Sequence, residues 1–214
     1  MIDLILKLAN ASTVASILLV PFLGVRRIVA IQLALMPLTH IYLVGLGLTA
    51  SATFQVVSNS SRRPCRFEIP VLILYPWAVW LCATTLSLAT NGISARSLFQ
   101  TSEFIFYGIV GTLVFQLVRD GVTDLKHVLG SLMAAAVGLN LTLGYLYWTQ
   151  GVQVGYFMGS NEGAFILIVC GLIVPAYRLS SATHWKEVAV CWAVIGLSLA
   201  TITLSESRAG IGFG

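Results

Sequence analysis

Seven long apolar runs, parted by short polar connections, leave this chain few ways to fold. They fall at roughly 5–25, 28–50, 69–90, 98–118, 128–148, 163–179 and 187–204, and an eighth begins near 209. A helix rises about 1.5 Å per residue, so about 20 residues cross the hydrocarbon of a bilayer. The runs are continuous, without the in–out alternation of a membrane β-barrel. The expected fold is an all-α, polytopic integral membrane helix bundle. It has about seven complete spans plus the start of an eighth, truncated at Gly214. Residues 1–214 are read as a single transmembrane domain, the incomplete N-terminal part of a larger one.

Composition agrees. Only 9% of residues are charged and 57% are hydrophobic, whereas soluble domains carry about 25% charged residues. The shortage runs along the whole chain, so one anchor on a soluble domain is excluded. The net charge of +4 is scattered, with no basic stripe interleaved with aromatics, and no nucleic-acid partner is expected. Cys65, Cys82, Cys170 and Cys191 are far apart and lack metal-ligand spacing. No disulfide framework, metal or cofactor is expected. Met1–Val25 resembles a signal peptide, but no small-residue cleavage site precedes Arg26-Arg27, so it is read as an uncleaved first span.

Lys and Arg in the connections set the orientation. With the N-terminus cytoplasmic, the inside holds Lys7, Arg62, Arg63, Arg66, Arg119, Lys126, Arg178 and Lys186. The outside holds Arg26, Arg27, Arg96 and Arg208. This count favours the N-terminus inside, with Arg26-Arg27 opposing it. The connections Thr149–Gly163 and Ser205–Arg208 then lie outside. Trp77, Trp80, Tyr145, Tyr147, Trp148 and Trp185 gather at segment ends as interface anchors. Pro37, Pro76 and Pro175 fall inside spans, and the longest connection runs from Ser51 to Glu68.

Several residues are candidates for chemistry. Arg208 opens the eighth run, where a guanidinium costs at least about 2.5 kcal/mol on insertion scales. Its planar fork suits phosphate, and Ser207, Gly210 and Gly212 are small enough to admit a headgroup. The alternative is an interfacial Arg that snorkels to water or pairs with Glu206. Gly210-x-Gly212-x-Gly214 is no dinucleotide loop, because no strand precedes it. In the outer loop Gly155–Ala164, Asn161 can cap the next helix and Glu162 can complement its dipole. The functional alternative turns both toward a sugar or diphosphate. His40 lies mid-span, either bonded to a carbonyl or functional. Asp120, Asp124, Lys126 and His127 read as a solvated turn.

The aromatic loop closing in Asn161, the Ala-containing helix after it, a basic inner turn, another span and then Ser207-Arg208-Ala209-Gly210 resemble the O-antigen ligase and O-antigen polymerase superfamily. The likeness covers roughly residues 95–214. It implies a bacterial inner-membrane enzyme of about a dozen helices with one large periplasmic loop. Such an enzyme moves a glycan from undecaprenyl diphosphate to the lipid A core, to a second lipid-linked glycan or to protein. It implies Arg208 as the catalytic residue gripping the donor diphosphate, with Ser207, Asn161 and Glu162 binding substrate and membrane lipids as surroundings. The implied catalytic His lies beyond Gly214, so these 214 residues alone are expected to be inactive. Glu206 departs from the family pattern. Two other classes stand beside the transferase: a secondary transporter or flippase, and a non-catalytic assembly subunit packing through Ser131, Ala134, Ala135 and Gly138.

Overall fold

The computed structural model describes residues 2–39, 41–59, 71–92, 94–150 and 160–204. Among the described residues every regular element is helical. In chain order these are α1 (Ile2–Leu18), α2 (Val20–Leu23), α3 (Val25–Leu35), a 3₁₀ turn (Met36–Leu38), α4 (Ile41–Asn59), α5 (Val71–Asn91), α6 (Ala95–Arg119) and α7 (Leu125–Gln150). There follow α8 (Ser160–Ile166), a π-helical stretch (Leu167–Ile173), α9 (Val174–Leu179) and α10 (Trp185–Leu204).

Among the described residues, two helices are long and apolar enough to cross a membrane, within Leu125–Thr149 and Trp185–Leu204. Ile41–Val57, Ile105–Arg119 and Gly163–Leu179 are apolar but shorter. Of the expected spans, these two meet the test of length and apolarity among the described residues. The first two apolar runs differ most from expectation. Gly24 takes φ 78 and ψ 148, a region that favours glycine, and it parts α2 from α3. Pro37 stands in the 3₁₀ turn between α3 and α4. It lacks an N–H and disfavours helical backbone at Met36, so α3 ends and tightens into the 3₁₀ turn. Nor does the long connection begin at Ser51, because α4 runs on to Asn59.

The chain divides into two compact units. The first comprises Met1–Ala9, Leu33–Leu38 and Leu125–Gly214. Within it α8, the π stretch and α9 follow one another without a break, and α10 folds back along them after the turn at 180–184. Leu139, Leu143, Leu146, Leu167 and Ile202 form one buried cluster, with Leu6 packed against it. Met133, Ala136, Cys170, Val174, Cys191 and Val194 form another.

The second unit comprises Asn10–Gln32 and Thr39–Asp124. Here α4 and α6 run parallel. The Tyr42 hydroxyl and Ser102 Oγ share a 2.7 Å hydrogen bond, and the Tyr42 ring meets Phe106 edge-on at 4.6 Å. Further along, Gln55 and Val122 line one cleft. Trp77, near the start of α5, packs on Gly108, where an added Cβ would come 2.6 Å from its ring.

In the first unit polar side chains are buried beside these apolar clusters while large apolar ones are exposed. Ser131, Asn140, Thr142, Ser198 and Thr201 are buried. Trp148, Phe165, Tyr177, Trp185 and Trp192 are exposed. In water that arrangement sacrifices apolar burial, the main favourable term in folding; in hydrocarbon the sacrifice vanishes. Hydroxyls bond carbonyls one turn back in their own helix: Thr142 Oγ1 to Gly138 O at 2.8 Å, Thr201 Oγ1 to Leu197 O at 3.0 Å and Thr203 Oγ1 to Leu199 O at 2.8 Å. A helix without water around it must satisfy its polar groups in this internal way.

Candidate functional site

The site expected from sequence divides unevenly. Ser207 and Arg208 lie outside the described residues, as do His40 and the loop 151–159. The backbone of Asn161 and Glu162 is described, and both stand in the first turn of α8. The helix starts at Ser160, two residues too early for Asn161 to be its cap. Glu162 holds the first-turn place expected of it.

Helix packing shows what surrounds that turn. Leu167, just past α8, shares a cluster with Leu143 and Leu146 of α7 and Ile202 of α10. The junction of α8 with the π stretch, the last turns of α7 and the last turn of α10 therefore lie toward one end of the first unit. Leu204 closes α10 there, and Arg208 follows four residues later in the sequence. Tyr147 and Trp148 stand exposed on the last turns of α7, which suits a membrane–water boundary.

The opposite end of the same unit is cationic. Arg178 Nη2 lies 4.0 Å from Glu187 Oε1, and Lys186 Nζ sits 6.0 Å from the Trp185 ring centroid. The second unit also has a cationic end. Arg26 Nη2 meets Asp124 Oδ2 at 2.6 Å. Arg119 Nε reaches Asp120 Oδ1 at 3.4 Å, and Gln116 Nε2 donates to Asp120 Oδ2 at 2.9 Å. The turn expected to be merely solvated is tied together by these contacts. The expected orientation separates Arg26 from Asp124 by a membrane. The ion pair brings them together.

Between the two ends of the first unit lies a polar tie that sequence inspection passed over. Asn140 of α7 is 2% exposed, and its Nδ2 donates to Ser198 Oγ of α10 at 2.9 Å. Gly171 of the π stretch faces Ser198 so closely that any Cβ there would overlap the hydroxyl. Among the described residues the Asn140 Oδ1 finds no donor. Proline explains the π geometry. A proline ring clashes with the carbonyl four residues earlier, here Gly171 O ahead of Pro175. Widening the turn moves that carbonyl aside, and the Val174 N–H accordingly donates to Val169 O, five residues back. Stretches of π-helix often mark functional places. In the second unit Gln32 is fully buried; its Nε2 donates to Ser16 Oγ at 3.3 Å, and its amide lies against Gly47.

Among the described residues no group of three His, Cys, Asp or Glu side chains is arranged to hold a metal. Cys170 and Cys191 are buried and serve as small apolar filler. Comparison with known protein families, with curated proteins and with solved structures finds no match.

Proposed function

We propose that this chain is an integral membrane protein of the O-antigen ligase and polymerase type, taking its glycan from undecaprenyl diphosphate at the periplasmic face of a bacterial inner membrane. The observation that supports this reading is the buried cluster shared by Leu167, just past α8, and Ile202, near the end of α10. Two motifs about forty residues apart in sequence, one around Asn161 and one around Ser207-Arg208, flank helices that finish at one end of one unit. A donor diphosphate held at that end becomes the leaving group, and negative charge grows on it as the glycosidic bond breaks. The Arg208 guanidinium, placed in a poorly hydrated site, stabilises that charge. Ser207, Asn161 and Glu162 supply polar contacts to the diphosphate and the first sugar. The acceptor is the lipid A core or a second lipid-linked glycan.

Orientation follows from the cationic ends. Arg26, Arg27 and Arg119 gather at one end of the second unit, while Lys126, Arg178 and Lys186 gather at one end of the first. Taken for the first unit by itself, the positive-inside tendency puts its cationic end in the cytoplasm, which leaves the Asn161 end periplasmic. Lys7, in the same unit, is then left outside. This reverses the N-terminus assigned from sequence and retains the outer placement of 149–163.

The test is transfer of saccharide from an undecaprenyl-diphosphate donor by membranes holding the full-length gene product. Arg208→Ala should lower the rate about a hundredfold, and Arg208→Lys should recover little, since an ammonium lacks the two-pronged fork. Near-normal transfer by the alanine variant removes Arg208 from the site.

A secondary transporter is the second reading. It draws on the buried Gln32 and Asn140 amides, because polar groups inside membrane helices often line solute paths. Substrate-dependent ion flux in vesicles, with no glycan transfer, favours it.

A further inference from the structure

An open cleft of about 600 Å³ lies where α2 gives way to α3. Its lining includes Phe22, Gly24, Arg26, Arg27, Gln55 and Val122, all in the second unit. The cleft exists because the chain turns at Gly24, whose positive φ lets α3 restart at once and sets two guanidinium groups on its first turn. Arg26 is held by the 2.6 Å contact to Asp124. Arg27 is exposed, and among the described residues no carboxylate pairs with it. Two adjacent cations with one counter-ion between them leave a net positive charge in the cleft. The first N–H groups of a helix lack intrahelical acceptors and carry its positive dipole end, which adds to that field.

The surroundings of this charge are apolar. Leu18 is 73% exposed and Phe22 is 82% exposed, and both precede the arginines by one to two turns. A ligand that satisfies the whole place is anionic at one end and oily at the other. Arginine grips phosphate oxygens through parallel charge-assisted hydrogen bonds. Basic pockets between helices at a cytoplasmic boundary suit lipid phosphates.

We propose that this cleft binds the phosphate headgroup of an anionic phospholipid. Arg27 holds the phosphate, Arg26 is kept in position by Asp124, and the acyl chains run along Leu18 and Phe22. The proposal rests on insertion of the chain in a bilayer and is independent of glycan transfer. Native mass spectrometry of the full chain, released from phosphatidylcholine micelles and titrated with phosphatidylglycerol, reads the binding directly. The unsubstituted chain should retain phosphatidylglycerol in preference to phosphatidylcholine. Arg27→Gln should weaken that binding about tenfold, Arg27→Lys should recover part of it, and Lys186→Gln, which removes a distant cation, should leave it unchanged. Inorganic phosphate at the same concentration should not displace the lipid. Equal binding by the Arg27→Gln chain overturns the proposal. So does an equal loss in Lys186→Gln, which would mean diffuse charge attraction, or displacement by inorganic phosphate, which would mean a site for the free anion. Circular dichroism checks that each variant stays helical, and resistance of the chain to carbonate extraction checks insertion separately.

Discussion

Gly171 sits where two helical segments press together, and a hydrogen atom in place of a side chain lets them. Ser198 occupies the space a Cβ would take, and Asn140 bonds the same hydroxyl. Interiors are packed too tightly to absorb even one added methyl without a shift. Gly171→Ala should therefore destabilise the protein by about 1–3 kcal/mol and lower its thermal midpoint in detergent. Gly144 on α7 is the control. Nothing lies within 4 Å of a Cβ added there, so Gly144→Ala should hold or raise the midpoint, since alanine favours a helix interior by up to about 1 kcal/mol. Equal effects at the two glycines would mean that the Gly171–Ser198 approach is not a tight one. Sequence carried little sign of this place. Asn140 is a lone amide in an apolar run, and nothing in its spacing marks Ser198, fifty-eight residues on, as its partner. The signal that was available is the small residue Gly171 four positions ahead of Pro175, which together invite a widened turn.

The elements themselves were more readable, because apolar length and helix length are linked by a fixed rise per residue. The runs at 69–90, 98–118, 128–148, 163–179 and 187–204 correspond to α5, α6, α7, the α8–α9 segment and α10. The first two runs contain breaks that continuous hydrophobicity hides. Gly24 parts a helix through its backbone angles, not its polarity, and Pro37 stops one while remaining apolar. Gly24 also yields a prediction that contact inspection misses. A Cβ there would meet nothing within 4 Å, so space alone permits alanine. Its φ of 78 with ψ of 148 does not, because residues held in that region cost about 1–3 kcal/mol. Gly24→Ala should lower the thermal midpoint despite the open surroundings. It should also weaken lipid retention, because a chain that relieves the strain by straightening moves Arg26 away from Asp124. An unchanged midpoint would show that α2 and α3 can join without the glycine turn.

At the scale of the whole molecule the sequence gives cation counts, while packing tells which cations share an end. Arg26 was assigned opposite to Asp124 on the assumption that each apolar run crosses fully and reverses the next. The broken α1–α3 region voids that assumption, and the 2.6 Å ion pair replaces it. The candidate site was readable only in part for a similar reason. Sequence order put Asn161 and Arg208 in separate connections, and only the return of α10 along the α8–α9 segment brings Leu167 and Ile202, which precede or follow those connections by a few residues, into one cluster. The N-terminus is the sharpest discriminator of orientation. Leu6 packs against the cluster of Leu143, Leu146, Leu167 and Ile202, so Asp3 belongs to the same end as Thr149. In a chain with its cysteines replaced by serine or alanine, Asp3→Cys and Thr149→Cys should both react with a membrane-impermeant maleimide added to intact spheroplasts. Ser181→Cys, in the turn between Arg178 and Lys186, should react only after the membrane is opened. If Asp3→Cys is protected while Thr149→Cys labels, the N-terminus is cytoplasmic and the packing of Leu6 is wrong. If Ser181→Cys labels from outside, the cationic end of the first unit faces the periplasm. The Asn161 end then faces the cytoplasm, on the wrong side for a glycan handed over at the outer leaflet.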